Sequence, residues 1–284
     1  MRRSPSFSLP LGIDLRNDAV AVVAARAQDD GFVVCGTAFR EIPRRDEAPQ
    51  LDLELARGLR DACEELGTRE RRCVLAAPPG DVVVRIFRLA PRMRAAEAER
   101  AAALEADTLV EWPSSERLVA LDPIPGRSDE MLLSVARLRS VERIVSIARA
   151  AGLRPVAVDL PSCAWRRAAT AADALLDLSG ERASLTVFGE PLGPTHLFAP
   201  RLVDERLAAQ VRAALVEARR DGIADVQRVA VAATRYRFES LEELLRDDGY
   251  RFAPLRLGDI ESPPWALAFG LATWAVAPRG LSAA

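Results

Sequence analysis

The sequence contains no lysine; every one of its 39 cationic side chains is an arginine. That absence excludes a phosphate-loop lysine and any Schiff-base chemistry. Histidine is nearly absent too. With His196 alone, a His-rich metal site is excluded and a Ser–His–Asp triad would have one possible base. His196 lies in GPTHLFAP, a turn-to-strand context that predicts a surface or edge position. The four cysteines, Cys35, Cys63, Cys73 and Cys163, form no CxxC and have no regular spacing, so they read as reduced, buried, small apolar residues. An excess of either sign of charge is missing as well: the net charge of −2 gives no electrostatic pull toward nucleic acid or an anionic membrane. The longest apolar stretch, 265–277, is interrupted by Gly270 and is too short to cross a bilayer. The opening MRRSPSFSLPLG reaches a strand after too little apolar length for a signal peptide.

What is present is a repeated unit. Residues 11–16 (LGIDLR) and 176–180 (LDLSG) are apolar runs that end in an Asp and a turn. Each leads into a second apolar run, 19–25 (AVAVVAA) and 183–188 (ASLTVF). Both pairs read as β-hairpins, and their recurrence points to a duplication. An aspartate at a strand end beside a tight turn, here Asp14 and Asp177, can hold a carboxylate near a phosphate and its Mg²⁺. It can equally well cap the turn.

The spacing along the chain predicts a third strand at 32–42, introduced by the turn 29–31. A charged loop follows at 43–49, then a helix at 51–66 closed by Gly67, and a short buried strand at 73–77. A strand at 82–89 and an alanine-rich helix at 95–110, stopped by Trp112-Pro113, come next. Strands at 118–121 and 130–138 precede a helix at 140–151 with Ser140 as N-cap. The stretch 91–151 therefore reads as a small inserted helix–strand–strand–helix subdomain. A strand at 155–159 and a helix at 162–172 return to the first unit. The second unit repeats the order with strands at 175–178, 183–188 and 195–199, a helix at 203–220, a strand at 228–232, a helix at 240–247, a strand at 252–257 and a last helix at 264–276. Such an order implies mixed sheets with helices on both faces.

In that context the segments VLAAPPGDVVVRIFRLAPRM, EAERAAALEADTLVEWPSSERLVALD and VARLRSVERIVSIARAAGLRPVAVDLPSCAWRRA, in that order, resemble the PilM family of type IV pilus proteins. More distantly they resemble the cytoplasmic part of the type II secretion protein GspL. The resemblance implies an α/β, actin-like (ribonuclease H-like) duplicated fold with mixed sheets. The first half would span 9–172, with the α+β insertion at about 91–151, and a reduced second half would span 173–284. Too few residues separate the second hairpin from the late strand for the nucleotide-covering subdomain of that superfamily.

Family members place glycines and hydroxyls where phosphate approaches. Here Gly12 and Asp14 stand, but Arg16 replaces a glycine, Asn17 and Asp18 replace the hydroxyls, and Ala21 replaces a lysine. At the second hairpin Asp177 and Gly180 stand, with Ser179 for glycine and Ala183 for threonine. The adenosine Gly-Gly is VAATR at 231–235. The resemblance therefore implies a cytoplasmic scaffold without catalytic residues, metal or cofactor, recruited to the inner face of the inner membrane. Its partner would be the N-terminal cytoplasmic tail of a PilN-like or GspL/GspM-like membrane protein, with an assembly ATPase as a further candidate. In the family a short apolar and basic tail docks between the first sheet unit and the inserted subdomain, which here implies Leu89, Pro91, Leu104, Leu109 and Trp112. Two other readings stand beside it. One is a switch binding ATP with Mg²⁺ through Gly12, Asp14, Arg16, Asp177, Ser179 and Gly180. The other is a sugar or acetate kinase, for which Asp122 and Asp159 are the available extra carboxylates and no substrate loop is evident.

Overall fold

The computed structural model describes residues 9–28, 31–43, 48–124, 127–179, 183–189, 195–198, 203–223, 225–246, 248–257, 260–261 and 265–274. The chain opens with β1 (Leu11–Leu15), β2 (Ala19–Gln28), β3 (Gly31–Glu41), α1 (Ala48–Glu65), β4 (Arg72–Ala76) and β5 (Val82–Arg88). Then come α2 (Ala95–Leu109), β6 (Arg117–Ile124), β7 (Arg127–Arg137), α3 (Leu138–Ala150), β8 (Arg154–Asp159) and α4 (Pro161–Ala168). The remainder is β9 (Ala174–Asp177), β10 (Ala183–Val187), β11 (Thr195–Phe198), α5 (Glu205–Arg220), β12 (Arg228–Ala232), α6 (Arg235–Leu245), β13 (Arg251–Pro254), β14 (Arg256–Leu257), β15 (Ile260–Glu261) and α7 (Ala266–Ala272).

Two five-stranded sheets carry the same plan. The first runs β3-β2-β1-β4-β8 and the second β11-β10-β9-β12-β13. In each, the leading three strands are antiparallel and the last two add in parallel to the central one. Both expected hairpins are present, Asp14 lying opposite Ala21 and Asp177 opposite Ser184. This is the duplicated actin-like architecture with mixed sheets.

Period-two alternation explains the layers, because successive strand side chains face opposite sides. On the first sheet Leu11, Ile13, Val20 and Val22 face α1 and α3, joining Leu55, Leu59, Ile144 and Ile147 in one core. Ala21, Val23 and Ala25 face the opposite way, toward α4 and α7. The second sheet presents Leu175, Ala230 and Ala232 to that same central layer, while Leu176, Val229 and Val231 pack on α5 and α6. Helices α4 and α7 are thus sandwiched between the sheets around Trp165, which is 2% exposed. Between β10 and β12 the described residues hold only β11 and α5.

The inserted unit differs from its predicted extent at both ends. Strand β5 pairs with β7 rather than with the first sheet, giving a three-stranded sheet β5-β7-β6 under α2. Helix α3 leaves the insertion and packs on α1, tied by Arg143 Nε to Asp52 Oδ1 at 2.7 Å and by Arg60 to the Ala150 carbonyl at 2.9 Å. Ser140 is not the N-cap. The helix starts at Leu138, and Ser140 Oγ donates to Asp81 Oδ2 at 2.7 Å, linking α3 to the start of β5.

Other differences are local. Helix α6 starts at Arg235, five residues ahead of the expected position, and α4 ends at Ala168, where Ala169 departs from helical geometry with ψ at 50°. The predicted strand at 252–257 ends its pairing with β12 at Pro254, and residues 256–257 pair with β15 in a small hairpin. Cys63 and Cys73 are buried as expected, whereas Cys35 is exposed on β3, the edge strand of the first sheet. His196 sits on the edge strand β11. Asp29 and Asp30 of the predicted turn lie outside the described residues, as does Gly180.

Candidate functional site

Alternation that turns Gly12 toward α7 also turns Asp14 the same way, two residues on. Likewise Leu175 and Asp177 share a face of β9. The two aspartates therefore approach one another from opposite sheets, at the ends of the two central strands. They are 4% and 6% exposed.

Arg16 joins them. Its Nε donates to Asp14 Oδ2 at 2.6 Å, and its terminal nitrogen lies 3.7 Å from Asp177 Oδ2. The remaining oxygen of Asp177 accepts from the Ser179 amide at 2.8 Å and from the Ser179 hydroxyl. Loss of water pushes the Asp14 carboxyl above its usual range. The Arg16 charge works against that shift, and the Asp177 and Asp18 charges add to it. For Arg16 the two carboxylates outweigh burial and raise an already high value. The guanidinium therefore stays charged, lying between the two carboxylates.

The fit to ATP with Mg²⁺ is poor on these observations. A fixed cation already pairs with Asp14 and lies 3.7 Å from Asp177, and Asp177 spends an oxygen on Ser179. Gly12 is tied to packing. A Cβ there would come within 1.8 Å of the Ala268 carbonyl oxygen, so its glycine is required by the passage of α7 over β1. At the expected adenosine turn, Ala232 and Ala233 are buried in the central and second-sheet cores and Thr234 leads into α6.

A second feature lies on the insertion. On the face of its sheet turned to α2, Leu133, Val135, Phe87 and Leu121 pack with Ala102 and Ala106. Arg117 pairs with Asp107 of α2, and Arg85 with Glu105 at 3.3 Å. The opposite face carries Val82, Val84, Ile86 and Leu132. With Leu160, Pro161 and Ser162 at the start of α4, these residues line a groove of about 410 Å³.

The predicted partner-binding residues do not converge on that groove. Leu109 and Trp112 are packed in the small core under α2, where Arg137 lies 5.5 Å over the Trp112 ring. Leu104 is 69% exposed on the outer face of α2. Leu89 and Pro91 follow the end of β5, the Leu89 amide bonding the Asp129 carbonyl at 2.8 Å. The groove residues were signalled by VVVRIF in β5, which is apolar on both faces and so asks for two covers. Asp159 accepts from the Leu160 amide at 2.8 Å and pairs with Arg167 of α4. Asp122, in register with Leu132, has its carboxyl raised by loss of water and by the charge of Asp159.

Comparisons with known proteins agree on the fold. The family model described as type IV pilus assembly protein PilM matches residues 12–190. Among solved structures, a PilM–PilN type IV pilus biogenesis complex is 19% identical with a TM-score of 0.75, covering 98% of this chain and 100% of that one. The cytoplasmic domain of EpsL, an inner-membrane component of the Vibrio cholerae type II secretion system, is 10% identical with a TM-score of 0.57, covering 96% and 94%. The ethanolamine utilization protein EutJ of Carboxydothermus hydrogenoformans is 13% identical with a TM-score of 0.54, covering 95% and 89%. No curated protein sequence matches the chain.

Proposed function

The chain belongs to the family of the type IV pilus assembly protein PilM, and from that premise we propose that it is a non-enzymatic scaffold of the pilus assembly platform. It holds the N-terminal cytoplasmic tail of a PilN-like inner-membrane protein and is thereby recruited to the membrane. Among the described residues no helix is long and apolar enough to cross a membrane, so attachment through a partner is the economical route.

The observation that carries this reading is the groove. Its apolar wall on β5 and β7 faces the start of α4, and its volume lies in the roughly 300–1,000 Å³ range of sites that enclose a ligand's side chains. A short extended tail could seat alternate apolar side chains against Val84, Ile86 and Leu132 while α4 closes the other side. The complex of a structurally similar PilM with PilN supports the choice of partner class.

In this reading nucleotide does not drive the scaffold, and what supports it is that Arg16 already lies between Asp14 and Asp177. The test is titration calorimetry of a synthetic PilN-like tail against the full chain and its Ile86→Asp variant. Binding by the native chain that is lost in the folded variant supports the reading. Equal binding by both, or none by the native chain, overturns it.

A further inference from the structure

We propose that Arg16 is a built-in counter-ion that latches the two halves of the molecule shut across their cleft, without any bound ligand. The latch goes beyond tail docking and does not depend on it. Its parts come from both halves. Asp14 and Arg16 belong to the first hairpin, Asp177 to the second, and all three side chains are largely shielded from water, Arg16 being 15% exposed. Arg16 is held to its own half by the 2.6 Å bond to Asp14, and its remaining positive edge is turned to Asp177 of the other half at 3.7 Å.

The charge count explains why the contact persists. Two carboxylates face one guanidinium, so opening the cleft would leave Asp177 without its cation and Arg16 without half of its field. A buried ion that loses its partner is heavily penalised. Ser179 fixes the Asp177 carboxylate in orientation, so the acceptor is preorganised for the contact. Beneath the cleft the halves also meet at α4 and α7. A Cβ on Gly270 would approach the Ala164 carbonyl oxygen to 1.8 Å there, and Arg167 Nε donates to the Gly270 carbonyl at 2.8 Å. A close-packed crossing below and an ion bridge above leave one arrangement of the halves. The cation is part of the chain itself, in the turn after β1, and does not have to arrive from solution.

The test is a distance measurement between the outer layers. In a Cys35→Ser background, spin labels at Leu53→Cys on α1 and Val216→Cys on α5 occupy exposed positions on opposite sides of the molecule. The native cleft is expected to give one narrow distance that MgATP leaves unchanged. Arg16→Gln and Asp177→Asn are each expected to lengthen and broaden it, and Arg16→Lys, which keeps the charge, is expected to stay close to the native distribution. Should Arg16→Gln fail to fold, Asp177→Asn decides the matter, since it removes the cross-cleft contact and leaves the Arg16–Asp14 bond. A native distribution that is broad, or that narrows with MgATP, overturns the proposal. So does a folded Asp177→Asn variant indistinguishable from the native chain.

Discussion

Gly12 lies against Ala268 with no room for a side chain. A Cβ on Gly12 would stand 1.8 Å from the Ala268 carbonyl oxygen and 2.3 Å from the Ala272 amide nitrogen. The obstruction is helix backbone, which cannot swing aside as a flexible side chain could. Gly12→Ala is therefore expected to force α7 off β1 and cost about 1–3 kcal/mol or more, the range for overpacking a dense core. Urea unfolding followed by circular dichroism measures it, as a lower midpoint with an unchanged slope.

The insertion offers a contrast between two apolar residues on different faces. Ile86 lines the groove, whereas Leu104 projects from the far side of α2. Ile86→Asp is expected to weaken binding of the PilN-like tail at least tenfold, about 1.4 kcal/mol. Leu104→Arg is expected to leave both affinity and unfolding midpoint unchanged, since exposed substitutions fall within about ±0.5 kcal/mol. A folded Leu104→Arg variant that no longer binds would move the docking surface to α2.

Two carboxyls respond to acid in opposite directions. The Arg72 side chain, against the cost of burial and with help from the Arg72 and Arg71 amides, brings Glu70 down from its ordinary 4.5 to about 2. Its folded form binds protons less readily than its unfolded form, so its contribution is complete above pH 4.5 and is lost as pH falls toward about 2. Asp14 is raised above its ordinary 3.8, so its folded form binds protons more readily, and its share of stability falls as pH rises from 3.8 through the folded value. Glu70→Gln should flatten the loss of stability between pH 4.5 and 2 in thermal scans, while Asp14→Asn should steepen it.

Thiol chemistry separates the four cysteines. Burial raises Cys63 to about 11, and Cys73 and Cys163 to about 12, whereas Cys35 is exposed on an edge strand. Since the thiolate is the reactive form, a disulfide reagent at pH 8 should titrate one thiol rapidly in the native chain. That rapid phase should vanish in Cys35→Ser.

The hairpins, their duplication and most strands were legible because each depends on alternation within a few residues. Asp14 and Asp177 could be paired on that basis alone. Contacts between distant stretches were not legible. The sequence displays Arg16 as a missing glycine, but its approach to Asp177 arises only once the sheets face one another. The same holds for Gly12 and Gly270, whose need for small size is set by helices far along the chain. Strand β5 was misplaced for a related reason. Its two apolar faces fit either sheet, and only pairing with β7 decides. Ser140 looked like a helix cap by residue type, yet Asp81, on another segment, claims its hydroxyl.

The late position of α7 in the chain bears on how the protein is made. A chain leaves the ribosome from its amino end, so β1, β2 and β4 emerge long before the helix that covers their inner face. Until residues 266–272 are released, Ala21, Val23 and Val74 lack the α7 part of their cover and have only α4 on that side. Nascent chains halted before Trp265 should therefore expose an apolar sheet face and draw chaperones, and an amino-terminal half expressed alone should aggregate unless the carboxy-terminal half is supplied with it.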